Sequence, residues 1–257
     1  MSIDPRAAIS PAAQIAPGVE IGPFAVIGPD VVIGPGCRIG PHAVVQGPTV
    51  IGEGNQIFQF ASIGDAPQDM KYGGEPTRLV IGARNVFREY VTVNRGTVTG
   101  AGETRIGNDN LILAYSHVAH DCVLGDHIIM SNAVNLAGHV EVGDWAIFSG
   151  YAGAHQFCRI GAHAFIANNT AVLQDIPPYV LAAGQPAEPR AVNIEGLKRR
   201  GFTEEQVRAI RNGFRALYRS DLRLEEATAQ LQKMAAEHPV LDIFASFPAG
   251  SRRGLAR

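Results

Sequence analysis

The string His117-Val118-Ala119-His120-Asp121-Cys122 sets two imidazoles three residues apart and a carboxylate directly after the second. An imidazole oriented by a carboxylate can take a proton from a hydroxyl near neutral pH. Seven of the eight histidines lie from His117 onward, so the later half of the chain is where such chemistry would collect. No serine or cysteine carries the surroundings of an activated nucleophile, and the orientation of Cys122 is open at this stage. The chemistry these side chains suit is direct acyl transfer to a hydroxyl. Two other readings stand beside it: surface histidines on a scaffold, or a zinc site drawn from His117, His120, His139 and His155.

What positions these residues is a six-residue beat. Aliphatic residues stand six apart from Ile3 through Ile9, Ile15 and Ile21 to Ile63, and again from Ile106 through Ile112 and Val118 to Val172. Neither a helix nor a simple alternating strand has that period, whereas a hexapeptide repeat does. The aliphatic positions point inward. Glycine follows many of them, as at Gly22, Gly28 and Gly34, and proline takes the next place at Pro23, Pro29 and Pro35, so these residues shape corners between short flat strands. Three hexads make one triangular coil, and residues eighteen apart should stack at about 4.8 Å, the spacing between strands. The fold class expected is an all-β solenoid, a parallel β-helix, with a C-terminal α-helical segment.

The same ruler places the candidate chemistry. His120 stands two past an inward position, so it points outward, and Gly138 and Gln156 follow it at eighteen-residue steps. Asp121, His139 and Phe157 form the adjacent column, and His117, Asn135 and Gly153 a third. A glycine one strand spacing from His120 can bring a backbone N–H to a developing oxyanion.

Residues 64–79 and 94–105 interrupt the beat; the first keeps the phase, and the second shifts it by one residue. A purely structural solenoid needs neither, and loops on rigid scaffolds often carry function. The solenoid is expected to span 1–178, ending at Pro177-Pro178, with a helical segment over 179–257. There Thr203-Glu204-Glu205-Gln206 has a capping-box pattern, and Val207, Ile210, Phe214 and Leu217 form an apolar stripe. A second helix is expected over 221–237, and Pro239 opens a third.

Composition bounds the rest. The chain of 257 residues is neither charge-rich nor poor in apolar residues, which fits a folded protein. Cys37, Cys122 and Cys158 are odd in number and scattered, as expected of reduced thiols in a cytoplasmic protein. No apolar run is long enough for a membrane span, and the N-terminus has no secretion signal. The net charge of −2 is uneven: residues 190–257 hold thirteen Lys or Arg against eight Asp or Glu, or +5. A basic segment of that kind suits an anionic partner.

Several strings resemble the bacterial UDP-N-acetylglucosamine 3-O-acyltransferases of lipid A biosynthesis. They include Gln68-Asp69-Met70-Lys71-Tyr72, Gly74-Glu75-Pro76-Thr77-Arg78, the segment His117 to Cys122, His155-Gln156-Phe157-Cys158 and the run from Asn193 to Phe202. The resemblance spans essentially the whole chain. It implies a left-handed coil and a homotrimer with active sites between neighbouring solenoids. It also implies transfer of an (R)-3-hydroxyacyl group from acyl carrier protein to the 3-hydroxyl of UDP-N-acetylglucosamine. His120 matches the general base, Asp121 its partner, and the Gly138 amide the oxyanion donor. Gln68, Asp69, Lys71, His117, His139, His155 and Gln156 match residues around the sugar nucleotide and acyl chain. Asn193, Glu195 and Arg199 match the group reading the uridine and its phosphates. No metal, redox cofactor or nucleic acid is implied.

Two positions bear on specificity. Asn94 stands where many family members have histidine, which raises the expectation that a 3-amino analogue of the sugar is also accepted. By the same resemblance, Asn168 matches the position where in that family a side chain closes the hydrocarbon groove, which implies an acyl chain of about ten to twelve carbons, since a polar side chain pairs poorly with a methyl terminus. The related N-acyltransferase of the same pathway shares the repeat and the donor. It usually carries an extra N-terminal domain, whereas the hexads here begin at Ile3. The spacing of the histidines also departs from that of the γ-class carbonic anhydrases, the zinc enzymes built on this repeat.

Overall fold

In the computed structural model, which describes residues 2–257, each hexad folds as one short strand and one corner. Strands pair in parallel with the strand three places later: Ser2–Ile3 with Glu20–Ile21, Ala8–Ile9 with Val26–Ile27, and Gln14–Ile15 with Val31–Ile33. Three parallel faces result, A, B and C, of eleven, nine and eight strands respectively. The inward aliphatics fill the prism: Ile21, Ile27, Ile33 and Ile39 are at most 3 % exposed. Burial of those side chains is the main term holding each coil to the next. All three cysteines are buried and unpaired in this core.

The corners carry their own order. Phe24, His42, Phe60, Tyr90 and Tyr115 occupy the corner between faces A and B, each in the left-handed backbone region near φ 60°. That region is costly for residues with a Cβ. Their rings stack on one another at 4.9–5.2 Å, which offsets part of the cost. The corner between faces C and A holds an amide ladder inside the wall. Asn55 accepts from the N–H of Asn85, Asn85 from that of Asn110, and Asn110 from that of Ile128. Buried corner amides are thereby satisfied.

Both interruptions leave the third corner, between faces B and C. The first loop runs between Ser62–Asp65 on face B and Arg78–Ile81 on face C, so Ile51 pairs with Ile81, thirty residues on instead of eighteen. The second runs between Thr92–Asn94 and Glu103–Ile106, and Ile81 pairs with Ile106, twenty-five on. Arg95 ties the two loops together, donating to Gly64 O at 2.9 Å and to the Tyr72 hydroxyl at 3.2 Å.

The sheet outlasts the expected end of the solenoid at 178. Val180–Ala183 extends face A in parallel beside Phe165–Ile166, and Glu188–Val192 then turns back antiparallel. Four helices follow: α1 (Ile194–Arg199), α2 (Glu204–Tyr218), α3 (Leu224–Glu237) and α4 (Asp242–Ser246). The capping box at Thr203 and Gln206 forms, and the stripe Val207, Ile210, Phe214 and Leu217 is buried. The chain then returns to the last coil, where Asp175 N–H donates to Gly254 O at 2.9 Å and Ala256 N–H to Asp175 O at 3.0 Å. No helix among the described residues is long and apolar enough to cross a membrane.

His163 shows how the helical segment locks to the coil. Its ring lies between Trp145 and Tyr179, and its Nδ1 sits 3.2 Å from Arg200. Burial, with the Arg200 charge added, holds this imidazole down at about 4 instead of 6.5. Between those values the unfolded chain binds a proton that the folded chain refuses, so stability should fall as pH drops from about 6.5 toward 4. Thermal melts across that window should steepen this fall in the native protein relative to His163→Phe; parallel slopes would remove His163 as the cause.

Candidate active site

The corner between faces B and C gathers the titratable side chains. The expected columns form there: His139 N–H donates to His120 O at 3.0 Å, and Phe157 N–H to Gly138 O at 3.2 Å, which stacks these residues on successive coils. His120 Nδ1 meets Asp121 Oδ2 at 2.8 Å, the length of a charge-assisted hydrogen bond. The imidazole lies over Gly138: a Cβ there would sit 2.5 Å from His120 Cε1 and 2.8 Å from Nε2. The Gly138 N–H makes no hydrogen bond to any described residue, so it is free to donate beside the ring. His139 stacks on Phe157 at 4.4 Å, with its Nε2 3.7 Å from Asp121 Oδ2.

Two grooves lie beside this corner, lined by separate sets of residues. One, of about 1040 Å³, is walled by His120, Asp121, His139 and Gln156 and by Gln68, Asp69 and Lys71 from the first loop. Arg252, from the returning C-terminal tail, closes its rim. The second, of about 490 Å³, runs along face B past His117 and His155 over Leu136, Ala154, Val172 and Leu173, with Tyr151 and Gln185 at its far side. A polar cleft and an apolar trough on neighbouring walls suit a ligand with a charged head and a hydrocarbon tail.

Electrostatics separate the imidazoles. Burial, and secondarily the His120 charge, lowers the pKa of His117, and Thr92 Oγ1 lies 2.7 Å from its Nδ1. Burial also lowers that of His139, against the opposing pull of Asp121. Both shifts favour the neutral imidazole. Cys122 points into the core, where burial pushes its thiol up to about 12, so it supplies no thiolate nucleophile. His120, Asp121 and His139 offer three metal-ligating atoms within 4.8 Å of one another, but His117 and His155 lie outside that cluster. The His120–Asp121 contact has the length of a hydrogen bond through a shared proton.

Not every expected residue joins them. Asn94 lines neither groove; it is 4 % exposed beneath the wall, and its Nδ2 donates to Ala66 O at 3.0 Å. Asn168 stands exposed at the corner between faces A and B, one coil beyond Gly150, across face B from His120. Asn193 is buried and works internally, with its amide donating to His163 O and its Oδ1 capping α1 at Gly196. Glu195 and Arg199 are exposed on α1, away from the His120 groove of the same chain. The sequence reading missed Thr97 and Thr104, which bond Asp121, and Arg252 on the rim. Each comes from a segment outside the hexad beat, so the ruler could not place it.

The chain has known relatives throughout its length. Residues 12–47 match the bacterial transferase hexapeptide repeat, and residues 175–256 match the second domain of UDP-N-acetylglucosamine O-acyltransferase. The acyl-(acyl-carrier-protein)–UDP-N-acetylglucosamine O-acyltransferase of Herminiimonas arsenicoxydans is 55 % identical over 210 residues, 80 % of either chain. The protein of that name from Janthinobacterium sp. (strain Marseille) is 56 % identical over 207 residues, 79 % of either chain. Among solved structures, the UDP-N-acetylglucosamine acyltransferase of Francisella novicida is 44 % identical with a TM-score of 0.98, covering 99 % of this chain and 94 % of its own. The architecture is a left-handed parallel β-helix with C-terminal helices.

The fit of His120 over Gly138 leaves no room for a methyl group. Gly138→Ala should retain the fold while displacing the ring, and turnover should fall about a hundredfold or more. A circular-dichroism melt together with a steady-state assay would check both; native turnover would mean the ring does not need this seat.

Proposed function

From membership of the acyl-(acyl-carrier-protein)–UDP-N-acetylglucosamine O-acyltransferase family, to which this chain belongs, we propose that it transfers an (R)-3-hydroxyacyl group from acyl carrier protein to the 3-hydroxyl of UDP-N-acetylglucosamine, the opening step of lipid A synthesis. The enzyme is an acyltransferase. The observation that carries the residue roles is the 2.8 Å His120–Asp121 contact beside the free Gly138 amide, in the wall of the polar cleft.

In this mechanism His120 Nε2 takes the proton of the 3-hydroxyl as its oxygen attacks the thioester carbonyl. The Gly138 N–H donates to the oxyanion that forms. Collapse of the adduct breaks the carbon–sulfur bond, and the imidazolium returns the proton to the departing thiol. Asp121 orients the ring and stabilises its charged form. His117, His139 and His155 with Gln156 contact the acyl and sugar groups, while Gln68, Asp69 and Lys71 bind the sugar nucleotide. The hydrocarbon lies in the trough on face B, where burial of apolar surface favours it. Its length is set at the far side, toward Tyr151, Gln185 and Asn168.

The active unit is a homotrimer, in which exposed Glu195 and Arg199 of one copy reach the cleft of the next and Asn193 holds their helix in place. The +5 segment at 190–257 gives the acidic carrier a docking surface. Asn94 lies behind the wall rather than on it, which favours the hydroxyl over the amino acceptor.

His120→Ala should assemble and melt like the native protein yet lose transfer about a hundredfold to ten-thousandfold; retained activity would assign the base elsewhere. Offered mixed acyl carrier donors, the enzyme should turn over chains of about ten to twelve carbons fastest. Mass spectra of the products would read this directly, and preference for a fourteen-carbon donor would contradict it. Supplied with UDP-N-acetylglucosamine and its 3-amino analogue together, it should yield the ester in excess.

A further inference from the structure

The carboxylate that orients the base is enclosed by a loop with no place in the repeat. The Asp121 side chain is only 2 % exposed, and an ion so enclosed is costly unless donors surround it. His120 Nδ1 lies at 2.8 Å and Thr97 Oγ1 at 2.6 Å, both on Oδ2. The Thr97 N–H lies 3.1 Å from Oδ1 and 3.2 Å from Oδ2. The Asp121 N–H donates to Thr104 Oγ1 at 2.8 Å, which anchors a residue held at φ 60°.

The donor directions follow from chemistry. An ionised carboxylate only accepts, so the Thr97 hydroxyl gives its hydrogen to Asp121. Thr99 Oγ1, 3.0 Å from Thr97 Oγ1, then donates into Thr97's remaining lone pair. By the same rule the imidazole proton sits on Nδ1, and Nε2 presents a lone pair to the cleft. Two glycines let the loop close this tightly. A side chain at Gly100 would strike the Asp121 carboxylate, and one at Gly96 would strike the backbone of Gly102 and Glu103.

We infer that Thr97 is a positioning residue for the base: its hydroxyl and amide hold the Asp121 carboxylate in place, and thereby fix His120 in the tautomer whose Nε2 accepts the sugar's proton. The inference rests on His120 being the base and adds what sets that base. The twenty-five-residue coil is then the device that delivers Thr97, and its one-residue phase shift is the mark this leaves on the sequence.

Thr97→Val keeps the shape and the backbone amide but removes the hydroxyl; Thr97→Ser keeps the hydroxyl. Assayed beside His120→Ala, the Val variant should lose kcat about tenfold to a hundredfold with KM for donor and acceptor unchanged, and Ser should restore most of it. Nitrogen-15 histidine spectra of the native protein should show His120 protonated at Nδ1, and Thr97→Val should show both tautomers. Native kcat in Thr97→Val with His120→Ala inactive would overturn the role of Thr97 and leave the base in place. Activity in His120→Ala would instead remove the base itself. Should Thr97→Val fail to fold, the native spectrum still decides, because a His120 proton on Nε2 contradicts the inference.

Discussion

The hydrogen-bonded ladder between successive coils is the constraint on which everything else depends. Each two- or three-residue strand is far too short to be stable alone, and it exists only because its neighbours above and below satisfy its backbone. The ladder also fixes register. His117, Asn135 and Gly153 pair in sequence, and the corner residues that follow them are carried into line. Functional groups eighteen residues apart are therefore held one strand spacing from each other without any dedicated contact between them. That is how a histidine from one coil comes to lie over a glycine of the next.

The site draws on two kinds of precision. The coil supplies His120, Gly138, His139 and Gln156 on a wall whose geometry the core enforces. The loops supply what the coil lacks, namely the polar side chains of Gln68, Asp69 and Lys71 and the donors around Asp121. Both loops spring from the same corner as His120, and Arg95 ties one to the other. Faces A and B join at a corner of stacked rings with no comparable loop, and the C–A corner is built around its amide ladder. The candidate site thus lies at the one of three edges where the chain departs from its period.

The ruler of six residues reads the core and both catalytic columns directly, because inward and outward positions in a stacked coil are set by count alone. It fails where count no longer applies. The beat ends the solenoid at 178, yet Val180–Ala183 and Glu188–Val192 extend face A beyond it, since these strands carry no hexad and pair by tertiary context. Asn193, which the resemblance sets beside the uridine, caps α1 and bonds His163, contacts that depend on a turn the spacing does not encode. Asn94 has the same outward-facing sequence surroundings as a groove residue, but the first loop folds over it and buries it. Thr97 lay in a segment without periodicity, where neighbours are chosen by closure of the loop.

A stack of identical rungs has no intrinsic stopping point, and its last rung is a template onto which another chain could add. At the end of face C the tail supplies a cover: Gly254 and Ala256 lie across Asp175, and Leu255 bridges to it. The covering segment also brings Arg252 to the rim of the cleft. The cover of face C and the rim of the cleft thus come from one short segment, so its removal would expose Asp175 and withdraw Arg252 together.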